Sequence, residues 1–218
     1  MMVKLNLGCG SVRPVGWINT DSSLNASFQK IPVIGKMITR YFNPVIYNSS
    51  NFKYMNLNKK WPFSNNSVDI VYASHLFEHL SLKSADLFLN ESRRCLKTGG
   101  AIRIVVPDMY KIAKKYIFDF EGGNKDASDY ILWAINMHRE GQYGNPGWFK
   151  KIILELQGYP HQHKYMYDEN SMFNLFEKHG FININIMAFG DSKLIESIHE
   201  VEGDDEHYLS VYIEAKKV

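Results

Sequence analysis

Short apolar runs alternate with longer amphipathic stretches along this chain. Val3 to Leu7 is a short apolar run, closed at once by the glycine pair Gly8 and Gly10. Gly16 to Asp21 reads as a second strand that ends in a carboxylate, and Phe52 to Leu57 as a third. Val68 to Ala73 is nearly continuously apolar, as expected of a parallel strand covered on both faces. After Ser81 the period becomes helical. Ala85, Phe88, Leu89, Cys95 and Leu96 share one stripe, Ser81 is the N-cap, and Gly99 or Gly100 is expected to close the helix as a left-handed C-cap. Ala101 to Val106 is the most strand-like segment and is expected near the centre of the sheet.

A second clear helix opens at Asp168, carries Met172, Leu175 and Phe176 on one face, and stops at Gly180. Phe181 to Met187 and His207 to Glu214 alternate apolar with polar residues, which suits less fully buried, partly antiparallel strands near a sheet edge. Strands interleaved with helices imply an α/β fold with a doubly wound, mostly parallel sheet. At 218 residues the chain is read as a single domain, 1–218. Two stretches exceed what connections need. Residues 24–50 are irregular, and 109–165 hold helices expected over Tyr110–Phe118, Tyr130–His138 and Trp148–Leu156; both are read as lid insertions on the substrate side.

Composition narrows the class. A hydrophobic fraction of 45% and a charged fraction of 22% are ordinary for a soluble globular protein. Lys plus Arg at 25 against Asp plus Glu at 23 leaves a net charge of +2, without the basic excess of nucleic-acid binders. The two cysteines, Cys9 and Cys95, offer neither a disulfide framework nor zinc spacing. The N-terminus shows no signal-peptide pattern and no apolar run reaches the length of a membrane span, so a cytoplasmic location is expected. Residues 31–42 mix apolar and basic positions; a helix packed over the cofactor is the preferred reading, with a membrane-surface helix as the alternative.

Ligands of open α/β sheets sit beyond the carboxyl ends of the strands, at the switch point. Gly8 and Gly10 let backbone approach a ligand closely. Asp21 ends the second strand where a carboxylate accepts ribose hydroxyls. Asn56 stands where an adenine amino group can be read, with Leu57 beside the ring.

These segments together resemble small class I S-adenosylmethionine-dependent methyltransferases. The resemblance rests on Leu5-Asn6-Leu7-Gly8-Cys9-Gly10, Gly16 to Asp21, Trp61-Pro62-Phe63, Ser67 to His75, Glu78-His79-Leu80 and Leu96 to Pro107-Asp108. It covers residues 3 to 108 well and 165 to 215 more loosely. It implies a Rossmann-like, seven-stranded sheet with one antiparallel strand near its edge, and S-adenosyl-L-methionine as cofactor. Leu7, Gly8, Cys9 and Gly10 would support the amino-acid end of the cofactor, Asp21 the ribose, Asn56 and Leu57 the adenine, and His75 would lie beside the reactive end. The glycine motif lacks a third glycine, and Asn56 replaces the usual acidic residue.

Methyl transfer asks a protein chiefly for alignment and, with a hydroxyl or amine acceptor, for removal of a proton. His79, Asp108 and His163 are the candidate bases; Glu78, His161 and Tyr165 are expected to face the substrate. The acceptor is expected to be a small molecule, such as a sugar, a polysaccharide precursor or a secondary metabolite, handled by a monomer or homodimer. Two rivals remain. One is a cofactor-binding protein without transfer activity. The other is a zinc peptidase, since His75-Leu76-Phe77-Glu78-His79 spells H-x-x-E-H, a motif that requires one long helix. His138, His161 and His163 lack a carboxylate or cysteine at ligand spacing, and no metal centre is expected.

Overall fold

The computed structural model describes residues 2–21, 51–136, 162–203 and 208–218. Their core is one seven-stranded sheet of order β3-β2-β1-β4-β5-β7-β6. The strands are β1 (Lys4–Leu7), β2 (Trp17–Asp21), β3 (Phe52–Tyr54), β4 (Val68–Ser74), β5 (Leu96–Pro107), β6 (Phe181–Met187) and β7 (Ser210–Lys217). The first five run parallel, whereas β7 is antiparallel to both β5 and β6. The described helices are α1 (Leu82–Cys95), α2 (Met109–Glu121), α3 (Ala127–Ala134), α4 (Glu169–Lys178) and the single turn α5 (His199–Glu202). No described helix is long and apolar enough to cross a membrane.

Apolar clusters cover both faces of the sheet. Leu5, Leu7, Val71, Ile102 and Ile104 meet Phe88 and Leu89 of α1 and Met172 and Phe176 of α4 on one face. Ile70, Tyr72, Val105 and Tyr212 meet Ile195, Ile198 and Val201 on the other. Burial on both faces is why β4 and β5 read as continuous apolar runs rather than alternating ones.

Helix caps follow the sequence. Ser81 Oγ accepts from Ser84 N at the start of α1, and Asp168 opens α4 with a reciprocal capping box to Ser171. The C-cap expected at Gly99 or Gly100 is not there: α1 ends at Cys95 and the chain enters β5 directly at Leu96. Gly99 takes φ +77°, and a Cβ on Gly100 would lie 2.9 Å from Lys97 O and 3.0 Å from Asp69 O. These glycines serve the register shift between β4 and β5, where two backbones crowd together.

Other boundaries move as well. β3 stops at Tyr54, so Asn56 and Leu57 follow it rather than belong to it. The last strand spans Ser210–Lys217 and lies next to the edge strand β6 as expected, but it is buried on both faces to Ala215 because β5 and β6 flank it. The helix expected at Tyr110–Phe118 occurs as α2, whereas α3 overlaps the one expected at Tyr130–His138 only from Tyr130 to Ala134. Residues 24–50, including the 31–42 segment, and the expected Trp148–Leu156 helix lie outside the described residues.

Candidate functional site

The order of the strands reverses between β1 and β4, which pair in parallel from Lys4 with Ile70 to Leu7 with Ala73. Their carboxyl ends therefore open side by side. Residues 8–16 alone join β1 to its parallel neighbour β2, without the helix such a crossover normally carries. Asparagines hold this short connection in place. Buried Asn6 Nδ2 donates to Val12 O at 2.9 Å and to Asn19 Oδ1 at 3.0 Å, while Asn19 and Asn51 each donate to Pro14 O.

The turn that follows β1 needs its glycines. Gly8 has φ +66°, and a Cβ there would sit 3.0 Å from both methyl carbons of Leu76. Gly10 has φ +48° with nothing within 4 Å of an added Cβ, so it leaves an open cradle above the strand end. Cys9 between them is buried, and its amide donates to Thr20 O at 2.9 Å. Burial first, and then the nearby charge of Asp21, push the Cys9 thiol up to about 11. Leu7 is fully buried beneath this turn.

A cleft of about 250 Å³ opens here, lined by Asn6, Gly8, Cys9, Ser74 and His75 and walled by Tyr72, Glu202 and Tyr212. Sequence reasoning missed Asn6, Tyr72, Ser74, Glu202 and Tyr212. Asn6 and Ser74 carried a signal, since each is a polar residue inside an otherwise apolar strand. Glu202 reaches the cleft from a distant turn and carried none.

Asp21 closes β2, and its carbonyl accepts from Met55 N at 3.2 Å. Asn56 Oδ1 accepts from Asn58 N at 2.9 Å, so it makes its own turn, and Leu57 packs into the main core. The adenine roles expected of these two therefore compete with structural ones.

After β4 the chain turns sharply. His75 takes φ +48° and its amide donates to Val105 O, and residues Phe77–His79 form a single 3-10 turn. This geometry removes the zinc-peptidase reading, because H-x-x-E-H places both histidines on one face only in a continuous α-helix. Three imidazoles instead surround Glu78, which is 1% exposed. Glu78 Oε1 lies 3.4 Å from His75 Nδ1, 3.9 Å from His79 Nε2 and 4.0 Å from His163 Nε2. Among the described residues, neither oxygen of the Glu78 carboxyl group has a hydrogen-bond partner. The His79 and His163 rings meet edge to face at 5.0 Å, and His79 Nδ1 is 3.1 Å from Gln162 O.

Backbone bonds bring the two halves of this cluster together. Lys164 N and Tyr165 N donate to Glu78 O at 2.8 and 3.3 Å. Burial lowers His163 to about 4, against the opposing pull of Glu78, so its ring is neutral near pH 7. Tyr165 stays partly exposed, with its ring 4.9 Å from that of Tyr167. Asp108 is fully buried, and its Oδ1 accepts from Tyr110 N and Lys111 N as the N-cap of α2. The cap occupies Oδ1 alone, and Oδ2 lies 3.5 Å from Lys111 Nζ. His161 and His138 lie outside the described residues.

Residues 5–104 match the family model for a methyltransferase domain. A methyltransferase domain thus occupies just under half of the chain. Its fold is similar to that of a solved methyltransferase from Thermotoga maritima, described as a possible histamine N-methyltransferase, with 14% identity over 100% of this chain and 83% of that one and a TM-score of 0.51. A methyltransferase from Archaeoglobus fulgidus aligns at 15% identity over 99% and 86% of the two chains, with a TM-score of 0.49. The CurJ carbon methyltransferase aligns at 14% identity and a TM-score of 0.49 over all of this chain but only 48% of its own length. No curated protein matches the sequence significantly. The cofactor is S-adenosyl-L-methionine, and the open glycine turn beside Asp21 fits it. Between the glycine turn and β2 the asparagine-stitched connection takes the place of a crossover helix.

Proposed function

We propose that this methyltransferase acts on a hydroxylated small molecule, such as a sugar, a polysaccharide precursor or a secondary metabolite, which meets the cofactor at the Glu78, His79 and His163 cluster. One observation carries the reading. A buried carboxyl group and two imidazoles converge on the loop that packs against Gly8 through Leu76, beside the expected methyl donor. When bound, the cofactor supplies an electrophilic methyl group on a sulfonium. The chain supplies alignment, exclusion of water and help in releasing the acceptor proton. Gly8, Cys9, Gly10 and Asp21 hold the cofactor, His75 flanks its reactive end, and Tyr165, partly exposed beside Lys164, borders the acceptor. His79 and His163 stand nearest the acceptor proton. The net charge of +2 favours a small acceptor over a nucleic acid.

The test is transfer of labelled methyl from the cofactor to panels of sugars, nucleotide-linked sugars, phenols and hydroxy acids. Label should enter one hydroxylated class. His163→Ala should lower kcat/KM about 100-fold or more while cofactor affinity, measured by calorimetry, stays within about twofold. Cofactor binding without turnover on any panel would leave the binding-protein reading in its place. Labelling of RNA or protein alone would overturn the small-molecule acceptor.

A further inference from the structure

We infer that Glu78, His79 and His163 bind one divalent transition-metal ion and leave coordination positions open for the oxygen atoms of the methyl acceptor. This rests on the reading of the cluster as the acceptor site and specifies how it works.

Three independent features point to a cation. The first is spacing. One ligand atom from each residue lies within 4.8 Å of the others. Glu78 Oε1 is 3.9 Å from His79 Nε2 and 4.0 Å from His163 Nε2. Ligands around a tetrahedral ion with bonds of roughly 2.0–2.2 Å stand about 3.4 Å apart. The two carboxylate–imidazole spacings exceed this by about half an ångström, so side-chain adjustment would complete the site.

The second feature is the orphaned carboxyl group. Both Glu78 oxygens are buried and, among the described residues, make no hydrogen bond. Burying such a group without compensation is costly, and the usual compensations are a paired cation or a metal. A plain ion pair with a histidine is a poor alternative, because a charge-assisted N–H···O bond closes to about 2.7–2.9 Å. The nearest imidazole nitrogen, His75 Nδ1, stays 3.4 Å away, while the other nitrogen of that ring lies 3.5 Å from Ser210 Oγ.

The third feature is tautomer control. Gln162 O, 3.1 Å from His79 Nδ1, can only accept, so the proton sits on Nδ1 and the lone pair of Nε2 faces Glu78. A backbone carbonyl that fixes the far nitrogen of a ligating histidine is the usual outer support of such sites. Two imidazoles and one carboxylate suit Zn²⁺, Mn²⁺ or Co²⁺ better than Ca²⁺, which prefers an all-oxygen shell.

The assignment also defines the acceptor. With three protein ligands, an ion that expands from four- to five-coordinate has room for a chelating pair of oxygens, which favours a vicinal diol, a catechol or a hydroxy acid. A cation at the hydroxyl lowers its pKa, so the two imidazoles act as ligands and no side-chain base is needed. The hydroxyl proton leaves to bulk water and the oxygen pair forms the new carbon–oxygen bond. The carbon–sulfur pair returns to sulfur, which departs as a neutral thioether.

The test is titration of chelator-stripped full-length protein with Zn²⁺, Mn²⁺ and Co²⁺, followed by calorimetry, thermal melting and, for Co²⁺, visible absorption. One ion per chain should bind saturably and raise the melting temperature. Glu78→Gln and His163→Ala should each weaken binding more than about tenfold. Glu78→Gln keeps the shape of the side chain, so its metal-free form should melt no lower than the wild type while losing the metal-induced rise. A folding defect would lower both. Absence of saturable binding, or unchanged affinity in both variants, overturns the site. The acceptor panel separates the two claims: turnover that chelators do not affect sinks the metal site alone, whereas metal binding without transfer to any hydroxylated compound sinks the acceptor reading alone.

Discussion

Gly8 and Gly10 differ in what a methyl group would cost them. At Gly8 the left-handed backbone and the 3.0 Å approach of Leu76 act together, whereas at Gly10 only the backbone is unfavourable. Gly10→Ala should therefore cost about 1–2 kcal/mol in urea denaturation, the left-handed penalty alone. Gly8→Ala should cost more than that and displace Leu76, which carries the chain into the Glu78 turn. Its cofactor affinity should fall more than tenfold in a calorimetric titration; equal losses in the two variants would sink this account. Cys9, between them, gives a pH signature. Folding raises its thiol from 9.0 to about 11, because burial and Asp21 disfavour the thiolate. Its contribution is thus fully present below pH 9 and is lost as pH rises through about 11. The wild type should lose stability over that window in urea melts, and Cys9→Ala should lose measurably less. These glycines and Asp21 were legible in the sequence because single strand ends place them. The grouping of His163 with Glu78 was not, since the two come from distant parts of the chain and only the fold brings them together.

At the scale of elements, legibility followed locality. The caps at Ser81 and Asp168 depend on residues within one turn, and both occur as read. Asp168 accepts from Ser171 N at 2.7 Å while Ser171 Oγ accepts from Asp168 N, so two otherwise orphaned amides are satisfied. Asp168→Ala should cost about 1 kcal/mol, read by chemical denaturation, with Asp168→Asn recovering most of it. A change below about 0.3 kcal/mol would mean that packing of Met172 and Phe176 alone holds α4. Gly99 and Gly100 were misread because a glycine pair after an amphipathic stripe satisfies the local rule for a helix end. The decisive contact, Gly100 against Asp69 O on β4, is a tertiary one. β7 was misread for a related reason. Its Glu214 gives an alternating pattern suited to a wet face, yet that carboxylate is fully buried opposite Arg103.

Arg103, Glu202 and Glu214 join three distant parts of the whole molecule. Arg103 on β5 is fully buried, bonds Glu202 through Nε at 2.6 Å and Nη2 at 3.0 Å, and reaches Glu214 on β7 at 3.4 Å. It also donates to Ala188 O and Asp191 O, while Gly190 N donates to Glu202. One cation thus fixes the course of the chain between β6 and β7 and holds Glu202 at the wall of the cleft beside the glycine turn. Removing it would strand two carboxylates in the interior, and breaking a buried pair from one side costs about 3–5 kcal/mol. Arg103→Met should lose stability of that order in urea denaturation, and Arg103→Lys most of it, because an ammonium cannot reproduce the forked contacts. Adding Glu202→Gln and Glu214→Gln to Arg103→Met should restore part of the loss by removing the stranded charges. Cofactor affinity distinguishes scaffold from site. If Glu202 only anchors the chain, the restored triple variant should bind S-adenosylmethionine as the wild type does. If its carboxylate also meets the positively charged end of the cofactor, stability should return while affinity stays low.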